Sequence, residues 1–317
     1  MSKKIWMSLL ICLTVLTGLA SVLRASSPEA ITGSVAMVQS VKTGEWTASL
    51  NNKNGDQDSG KIQVNFEQRS EQGGRHQMGQ SYDFADFQGL SRAQVLSGGP
   101  VRFSLVREAG TIVCEGTFQN AHGSGTFTFT ANQSFVSAMK SRGFDFEEDG
   151  NKHNWRDSED RLFAATTLNV TTALADDLAS AGFGKLEVGD LFKAAIFKVD
   201  SKFMREMKAT GFPNLGMEDL VKARIFKIDA EFVRQVTQMG FAREPFESLV
   251  KMQIFKVTPE FIVEMRNEGL TDLAIEDLVK LRIFKIDSAF IRQAKADGVP
   301  LNVERLVQRR IGVARND

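Results

Sequence analysis

The tripeptide Ile-Phe-Lys occurs four times in the C-terminal half of the chain, at a constant interval of 29 residues. Self-similarity at one period between about 20 and 50 residues is typical of repeat architectures, in which each unit buries its apolar face by stacking on its neighbours. This recurrence constrains the fold more than composition does, because it sets the size of the structural unit. The four copies lie at residues 196–198, 225–227, 254–256 and 283–285.

Each unit also contains a helix with start and stop residues at both ends. In one copy Thr258 is the N-cap, Pro259 fills the first helical position, Phe261 is the apolar anchor and Gly269 is the left-handed residue after the helix. The pattern occurs six times, which predicts about six two-helix units. The predicted N-caps are Asn132, Thr171, Asp200, Asp229, Thr258 and Asp287, and the terminal glycines are Gly143, Gly182, Gly211, Gly240, Gly269 and Gly298.

A shorter second helix is predicted in each unit, with columns of apolar residues on its buried face. We therefore expect residues 132–317 to form an α-helical repeat domain, an α-hairpin solenoid of 29-residue repeats with an acidic insertion at residues 145–160. The predicted core columns are Leu191, Leu220, Leu249 and Leu278, then Phe192, Val221, Val250 and Val279, then Ile196, Ile225, Ile254 and Ile283.

Residues 44–131 have a different periodicity, in which apolar and polar side chains alternate as in half-buried strands. Turn-forming clusters separate about six such segments, and two tight turns predict an antiparallel three-stranded meander over residues 101–131. This pattern predicts an all-β domain, either an antiparallel sandwich or a rolled sheet. The whole chain is thus predicted to be α+β with the two classes segregated, the β domain first and the solenoid second.

The first 25 residues are typical of a signal peptide, because Lys3 and Lys4 precede an apolar stretch at residues 5–23 that small residues follow. Residues 26–43 are then a linker. The alternative is a structural envelope protein held in the inner membrane by this segment as an uncleaved anchor, since the apolar stretch approaches the roughly 20 residues that span a bilayer. Both interpretations predict an exported protein, periplasmic or extracellular.

Composition bears on the class of partner. The chain has 39 basic and 39 acidic residues, and this balance gives no basic face of the kind that binds nucleic acid. We therefore expect a protein partner in the cell envelope and no nucleic acid. Cys114 alternates with apolar residues in a strand pattern, which favours a buried structural thiol over a nucleophile.

The sequence shows no spacing typical of a catalytic, metal or cofactor site, so we predict a non-enzymatic protein without a cofactor. The acidic insertion resembles a calcium loop at its first positions, but Arg156 stands where a bidentate Glu is required. A solvated acidic loop is the simpler interpretation. The alternative is a hydrolase at the junction of the β domain and the first repeat, using Glu147, Asp149 or His153.

Two columns of lysines recur with the repeats. Those after the helix ends complement the helix dipole; they are Lys198, Lys227, Lys256 and Lys285. The other column would form a basic stripe, which together with the acidic insertion is the candidate partner surface, although a plain solvated face is the alternative. The candidate residues are Lys193, Lys222, Lys251, Lys280, Glu147, Glu148 and Asp149.

Short motifs occur in both parts of the chain. They are Arg107-Glu108-Ala109-Gly110-Thr111, Glu115-Gly116-Thr117-Phe118, Gly123-Ser124-Gly125-Thr126-Phe127, the Phe-x3-Met-x3-Gly-Phe units and Val257-Thr258-Pro259-Glu260-Phe261. Residues 44–317 thereby resemble the extracytoplasmic tail behind some bacterial membrane metallopeptidases of the β-lactam-sensor antirepressor type. The resemblance implies a sensing or interaction module outside the cytoplasm. The chain lacks that family's multi-span domain and its His-Glu-x-x-His motif, so peptidase activity is not implied.

Overall fold

The computed structural model describes residues 41–50, 60–69, 75–147 and 158–312, and the predicted signal peptide lies outside them. The chain divides into two compact units. The first runs to Ala173 and also takes in residues 187–189, and the second comprises residues 174–186 and the chain from Asp190 onward. The first unit contains the sheet and the second is helical, which confirms the predicted α+β class with segregated elements. The first unit also includes residues 132–168, which the sequence pattern places with the helical repeats.

The first unit is built on a single antiparallel sheet of seven strands in the order β3-β2-β1-β7-β6-β5-β4. One sheet fits the rolled-sheet alternative rather than a two-sheet sandwich. Residues 101–131 form the predicted meander, because two-residue turns join β5 to β6 and β6 to β7. The strands are β1 Val41–Ser49, β2 Lys61–Arg69, β3 Arg75–Asp83, β4 Phe87–Gln88, β5 Gly99–Arg107, β6 Gly110–Gln119 and β7 His122–Ala131.

Trp46 shows why the central strands need glycine. It lies opposite Gly125, which in turn pairs with Gly116 across the next ladder. A Cβ on Gly116 would come within 2.8 Å of the indole ring and 2.2 Å of the Ser124 carbonyl oxygen. The space that the two glycines leave is therefore filled by the indole, whose Nε1 donates to the Glu115 carbonyl at 3.2 Å.

Three helices complete the first unit: α1 Arg92–Ser97, α2 Gln133–Lys140 and α3 Ser158–Leu168. The last of them packs on the sheet through Phe163, whose ring lies 5.3 Å from those of both Phe127 and Phe129 and 5.9 Å from that of Phe66. The ion pair between Lys42 and Asp160 ties the same helix to β1. The core of this unit thus lies between the sheet and α3.

The second unit consists of helices of nine or ten residues. The predicted stop residues are confirmed, because all six terminal glycines have φ between 74° and 105°. Five of the six predicted N-caps accept a backbone N–H: Asn132, Asp200, Asp229, Thr258 and Asp287. The helices are α4 Thr172–Ser180, α5 Val188–Phe197, α6 Ser201–Ala209, α7 Met217–Ile225, α8 Ala230–Gln238, α9 Phe246–Ile254, α10 Pro259–Asn267, α11 Ile275–Ile283, α12 Ser288–Ala296 and α13 Val303–Ile311.

Candidate protein-interaction surface

The first column of lysines lies on α5, α7, α9 and α11, and each lysine is paired with a glutamate on the next odd-numbered helix. The Nζ–Oε1 distance is 2.5 Å for Lys222 and Glu247 and 2.6 Å for Lys280 and Glu304. Three of the lysines also lie within 4 Å of an aspartate on their own helix. The column is therefore a ladder of matched charges. Its four rungs are Lys193–Glu218, Lys222–Glu247, Lys251–Glu276 and Lys280–Glu304.

The pKa shifts of two of these lysines agree with the pairing. The hydrogen bond to Glu247 raises the pKa of Lys222 above its ordinary value, and the bond to Glu304 does the same for Lys280. These lysines remain charged through the physiological range, but each charge is neutralised by its partner. That the lysines form a partner surface stays a prediction, and the ladder gives them a second role in linking consecutive helices.

Of the acidic candidate residues only Glu147 is among those that the structure describes, and it falls in the first unit. Glu147 forms an ion pair of 3.2 Å with Lys140, which also contacts Asp145 at 3.1 Å. The bonds to these two carboxylates raise the pKa of Lys140. Glu148 and Asp149, like His153 of the hydrolase alternative, lie outside the described residues.

The second column of lysines has a structural role that the sequence does not reveal. Each lysine adopts the left-handed conformation just after a helix, with φ between 53° and 56°. The next residue then donates its N–H back to the helix, as Ile228 does to the Ala223 carbonyl at 2.8 Å. All four side chains are exposed, and among the described residues no ion pair or hydrogen bond occupies their ammonium groups. These residues are Lys198, Lys227, Lys256 and Lys285.

The prediction that Ile196, Ile225, Ile254 and Ile283 are core residues was wrong. Their side chains are 38–52% exposed. At about 100° per residue, a helix places the fifth residue after Leu191 roughly 140° away from it, outside the buried stripe. The buried position is instead two residues before each of these isoleucines, at Ala194, Ala223, Met252 and Leu281. A helical wheel would have shown this, whereas the column alignment alone did not.

Basic side chains precede three of the exposed isoleucines. The guanidinium of Arg224 lies 3.7 Å from the centre of the Phe203 ring, and its Nε donates to the Lys198 carbonyl at 3.1 Å. Arg282 stacks on Phe261 at 3.8 Å in the equivalent way. The ends of α5, α7, α9 and α11 therefore each carry an isoleucine and a lysine, and those of α7 and α11 also carry an arginine.

Two open grooves lie along the sheet of the first unit, and the second has the more polar lining. One, of about 470 Å³, is lined by residues such as Thr43, Glu45 and Thr128. The other, of about 500 Å³, includes Ser124 and His122. Cys114 is fully buried, as predicted, and burial raises the pKa of its thiol. Among the described residues, no group of three or more His, Cys, Asp and Glu side chains is placed to hold a metal ion.

The aromatic pair on β3 and β4 also belongs to the core. Tyr82 and Phe87 are 2% and 6% exposed, with their rings 5.1 Å apart. The Tyr82 hydroxyl donates to the Thr167 carbonyl of α3 at 3.1 Å, and burial raises its pKa. Tyr82 thus helps to fix α3 to the sheet.

Comparison with known proteins identifies no relative. No protein-family model matches the chain. No curated protein and no solved structure matches it significantly. Within the described ranges, every helix is too short or too polar to cross a membrane.

Proposed function

We propose that the chain is a non-enzymatic protein-interaction or ligand-sensing module, and that its second unit is an α-solenoid of 29-residue two-helix repeats. The observation that carries this proposal is the ladder of lysine–glutamate pairs. One interaction recurs at 24 or 25 residues along the chain, so neighbouring odd-numbered helices lie side by side in the same register. Stacks of this kind present long surfaces to partners.

Other contacts at similar separations support the stacking. The Arg266 guanidinium donates to the Met239 carbonyl at 2.6 Å, 27 residues earlier. Ser288 donates both its N–H and its hydroxyl to Glu264, and Ser201 does the same to Asp177, in each case 24 residues earlier. Two helices, α6 and α12, are thus capped by a carboxylate of the preceding hairpin.

The proposed location is outside the cytoplasm, in the periplasm or beyond. The basic, then apolar, N-terminal segment supports it, and so does the resemblance to the tails of antirepressor metallopeptidases. Residues 5–23 would act as a cleaved signal or as an inner-membrane anchor. N-terminal sequencing of the protein isolated from its own cells distinguishes the two, because only cleavage yields an N-terminus near residue 26.

The interaction function is tested by affinity capture with the full-length chain from detergent-solubilised cell envelopes. The matched variant carries Leu220→Asp and Leu249→Asp, which place two carboxylates at positions that are 0% and 2% exposed and so disrupt the second unit. We expect a protein partner to be enriched with the native chain and lost with the variant. Recovery of the same proteins with both chains, or of none with the native chain, would contradict the proposal.

A further inference from the structure

The exposed isoleucines of the second unit form a row at one end of the odd-numbered helices. The row continues onto the last helix, since Ile311 is 53% exposed and follows Ile283 by 28 residues. Large apolar side chains exposed singly are ordinary. Here, however, an isoleucine is exposed at the equivalent position of five helices. The exposure is therefore a recurring feature of the odd-numbered helices. The row comprises Ile196, Ile225, Ile254, Ile283 and Ile311.

The ladder sets the spacing of this row. Equivalent residues of α5, α7, α9, α11 and α13 are linked by equivalent ion pairs, so their helix axes run side by side at the usual 8–10 Å or so. Five isoleucines then extend over roughly 40 Å. The row is one residue wide, which suits a linear segment better than a globular face.

The apolar area of the isoleucine row also favours a linear segment over a second folded protein. Complete burial of an isoleucine removes about 60–120 Å² from water, if it contributes roughly 1.5–3 kcal/mol at 25 cal/mol per Å². Five side chains that are about half exposed therefore offer roughly 150–300 Å². A stable dimer usually needs about 800 Å² from each partner, so a second copy of the chain is a poor occupant for this row.

The charges beside the row are mainly positive. The ammonium groups of the second lysine column, two residues after each of the first four isoleucines, have no ion pair among the described residues, and the adjacent Arg224, Arg282 and Arg310 stack on phenylalanine rings rather than on carboxylates. The carboxylates nearest to these lysines in sequence are the N-caps Asp200, Asp229 and Asp287, which accept backbone N–H groups. Glu231 and Glu260 follow in the first turns of α8 and α10. Cations thus outnumber carboxylates, and the lysines of one copy would repel those of another.

We propose that this Ile–Lys surface, formed by the five isoleucines with Lys198, Lys227, Lys256 and Lys285, binds an acidic polypeptide segment with apolar side chains about 10 Å apart. An α-helix with one apolar residue per heptad has this spacing, because seven residues rise by about 10.5 Å. Its glutamates or aspartates would pair with the lysines, and its apolar side chains would cover the isoleucines. The inference rests on the proposed interaction function and specifies the surface and the partner chemistry.

The probe is a fluorescein-labelled synthetic peptide of four heptads, with leucine at the first position of each heptad, glutamate on both sides of it, and alanine and glutamine elsewhere. Binding to the full-length chain is followed by fluorescence anisotropy. We expect Ile225→Ser with Ile254→Ser to weaken binding at least tenfold. Val263→Ser is the matched control, since Val263 is 47% exposed but lies on α10, away from the row.

A second pair of variants tests the charges. Lys227→Gln with Lys256→Gln should weaken binding several-fold and reduce its dependence on salt. Lys222→Gln with Lys251→Gln removes the same charge from the paired column and should change binding less than twofold. All of these side chains are at least partly exposed, so the variants should fold, and far-UV circular dichroism checks this.

Several results would overturn the inference. They are unchanged binding in the isoleucine variants, equal binding of a peptide with lysine in place of glutamate, and equal losses from the two lysine pairs. Isoleucine-dependent binding to phosphatidylglycerol vesicles without peptide binding would assign the surface to a membrane. Isoleucine-dependent self-association in sedimentation would assign it to a second copy. If envelope capture requires the folded second unit but not Ile225 and Ile254, the proposed function stands and this inference fails.

Discussion

Lysine in a left-handed backbone conformation recurs at the end of four helices in the second unit. Ile-Phe precedes it in all four copies and valine or isoleucine follows it, and φ varies by only 3°, from 53° at Lys285 to 56° at Lys227. For a residue with a Cβ this conformation costs roughly 1–2 kcal/mol. The cost is offset by the hydrogen bond that closes each helix and, at Lys198, by the bond that its carbonyl accepts from Arg224.

Lys227→Gly should therefore stabilise the second unit. Glycine adopts a positive φ without steric cost but loses more backbone entropy on folding, so we expect a net gain of about 0.5–1 kcal/mol in the free energy of unfolding. Urea unfolding followed by circular dichroism measures it. Lys222→Gly, inside α7, should instead cost about 1 kcal/mol. Destabilisation by both changes would show that the Lys227 side chain contributes more than its backbone strain costs.

Single residues also show what sequence could and could not predict. The six terminal glycines were predicted correctly because glycine is the usual left-handed residue after a helix. The left-handed lysines were not, because lysine has no such preference and the pattern offers only its place after the helix. The exposed isoleucines were assigned to the core because a recurring apolar column was taken to be buried without regard to its angular position on the helix.

At the scale of elements, helix N-termini in the second unit are capped by the preceding hairpin wherever the first helical residue is serine. The Ser288 hydroxyl donates to Glu264 at 2.6 Å, and the Ser201 hydroxyl donates to Asp177 at the same distance. At the equivalent place on α10 stands Pro259, which has no N–H to donate. At the start of α8 the equivalent residues are Ala230 and Glu206, so the carboxylate is present but the hydroxyl is not. The serine–carboxylate pair therefore couples neighbouring hairpins at α6 and α12.

A double-mutant cycle on Glu264 and Ser288 should reveal this coupling. Glu264→Ala leaves the first turn of α12 without its second acceptor and should cost about 1 kcal/mol. Ser288→Ala should lower the free energy of unfolding by less when residue 264 is already alanine than in the native chain. We expect a coupling energy of about 0.5–1 kcal/mol from urea unfolding. Gln235→Ala is the control, since Gln235 precedes Pro259 by the same 24 residues. Additive effects of the first two changes would contradict the coupling.

The lysine–glutamate ladder should make stability depend on alkaline pH. The pKa of Lys222 and of Lys280 is raised in the folded state, so folding favours the protonated lysine. The stabilisation is complete below the ordinary pKa of about 10.4 and is lost as pH rises through the raised folded value. We therefore expect the urea midpoint to fall as the pH rises above about 10.4. Lys222→Gln with Lys280→Gln should reduce the slope, and an unchanged slope would argue against the ladder.

The helix α3 could not be assigned from its own sequence. Eight of its eleven residues are buried, among them Asp160, Arg161, Thr166 and Thr167, so it lacks the single apolar stripe that identifies a surface helix. Its polar groups are satisfied inside the unit. The Thr166 hydroxyl donates to the Leu162 carbonyl, and the Arg161 Nε donates to the Phe146 carbonyl at 2.7 Å. The strands, by contrast, alternate cleanly: about six were predicted over residues 44–131, and the sheet has seven.

At the scale of the whole molecule, the first unit requires more than its strands. The predicted β domain ends at residue 131, whereas α3 supplies the aromatic ring that Phe66, Phe127 and Phe129 surround. A chain of residues 41–131 would leave these three side chains exposed on one face of the sheet. A chain of residues 41–173 retains their cover.

We therefore expect residues 41–173 to fold cooperatively when produced alone, and residues 41–131 to aggregate or remain without fixed tertiary packing. Near-UV circular dichroism and the dispersion of amide resonances distinguish these states. In the longer fragment Phe163→Ala should cost about 3–5 kcal/mol in the free energy of unfolding. A well-folded 41–131 fragment would show that the sheet is stable without α3.

The separation of 25 residues between Lys193 and Glu218 is also kept between Lys222 and Glu247. Deletion of residues 217–245, one complete period, would bring Glu247 to the place along the chain that Glu218 now holds, and an internal duplication would add one more lysine–glutamate pair. Gene-level gain or loss of whole periods would thus alter the second unit without requiring new contacts. The length of segment that the Ile–Lys surface can accept would then evolve in increments of one isoleucine and one lysine.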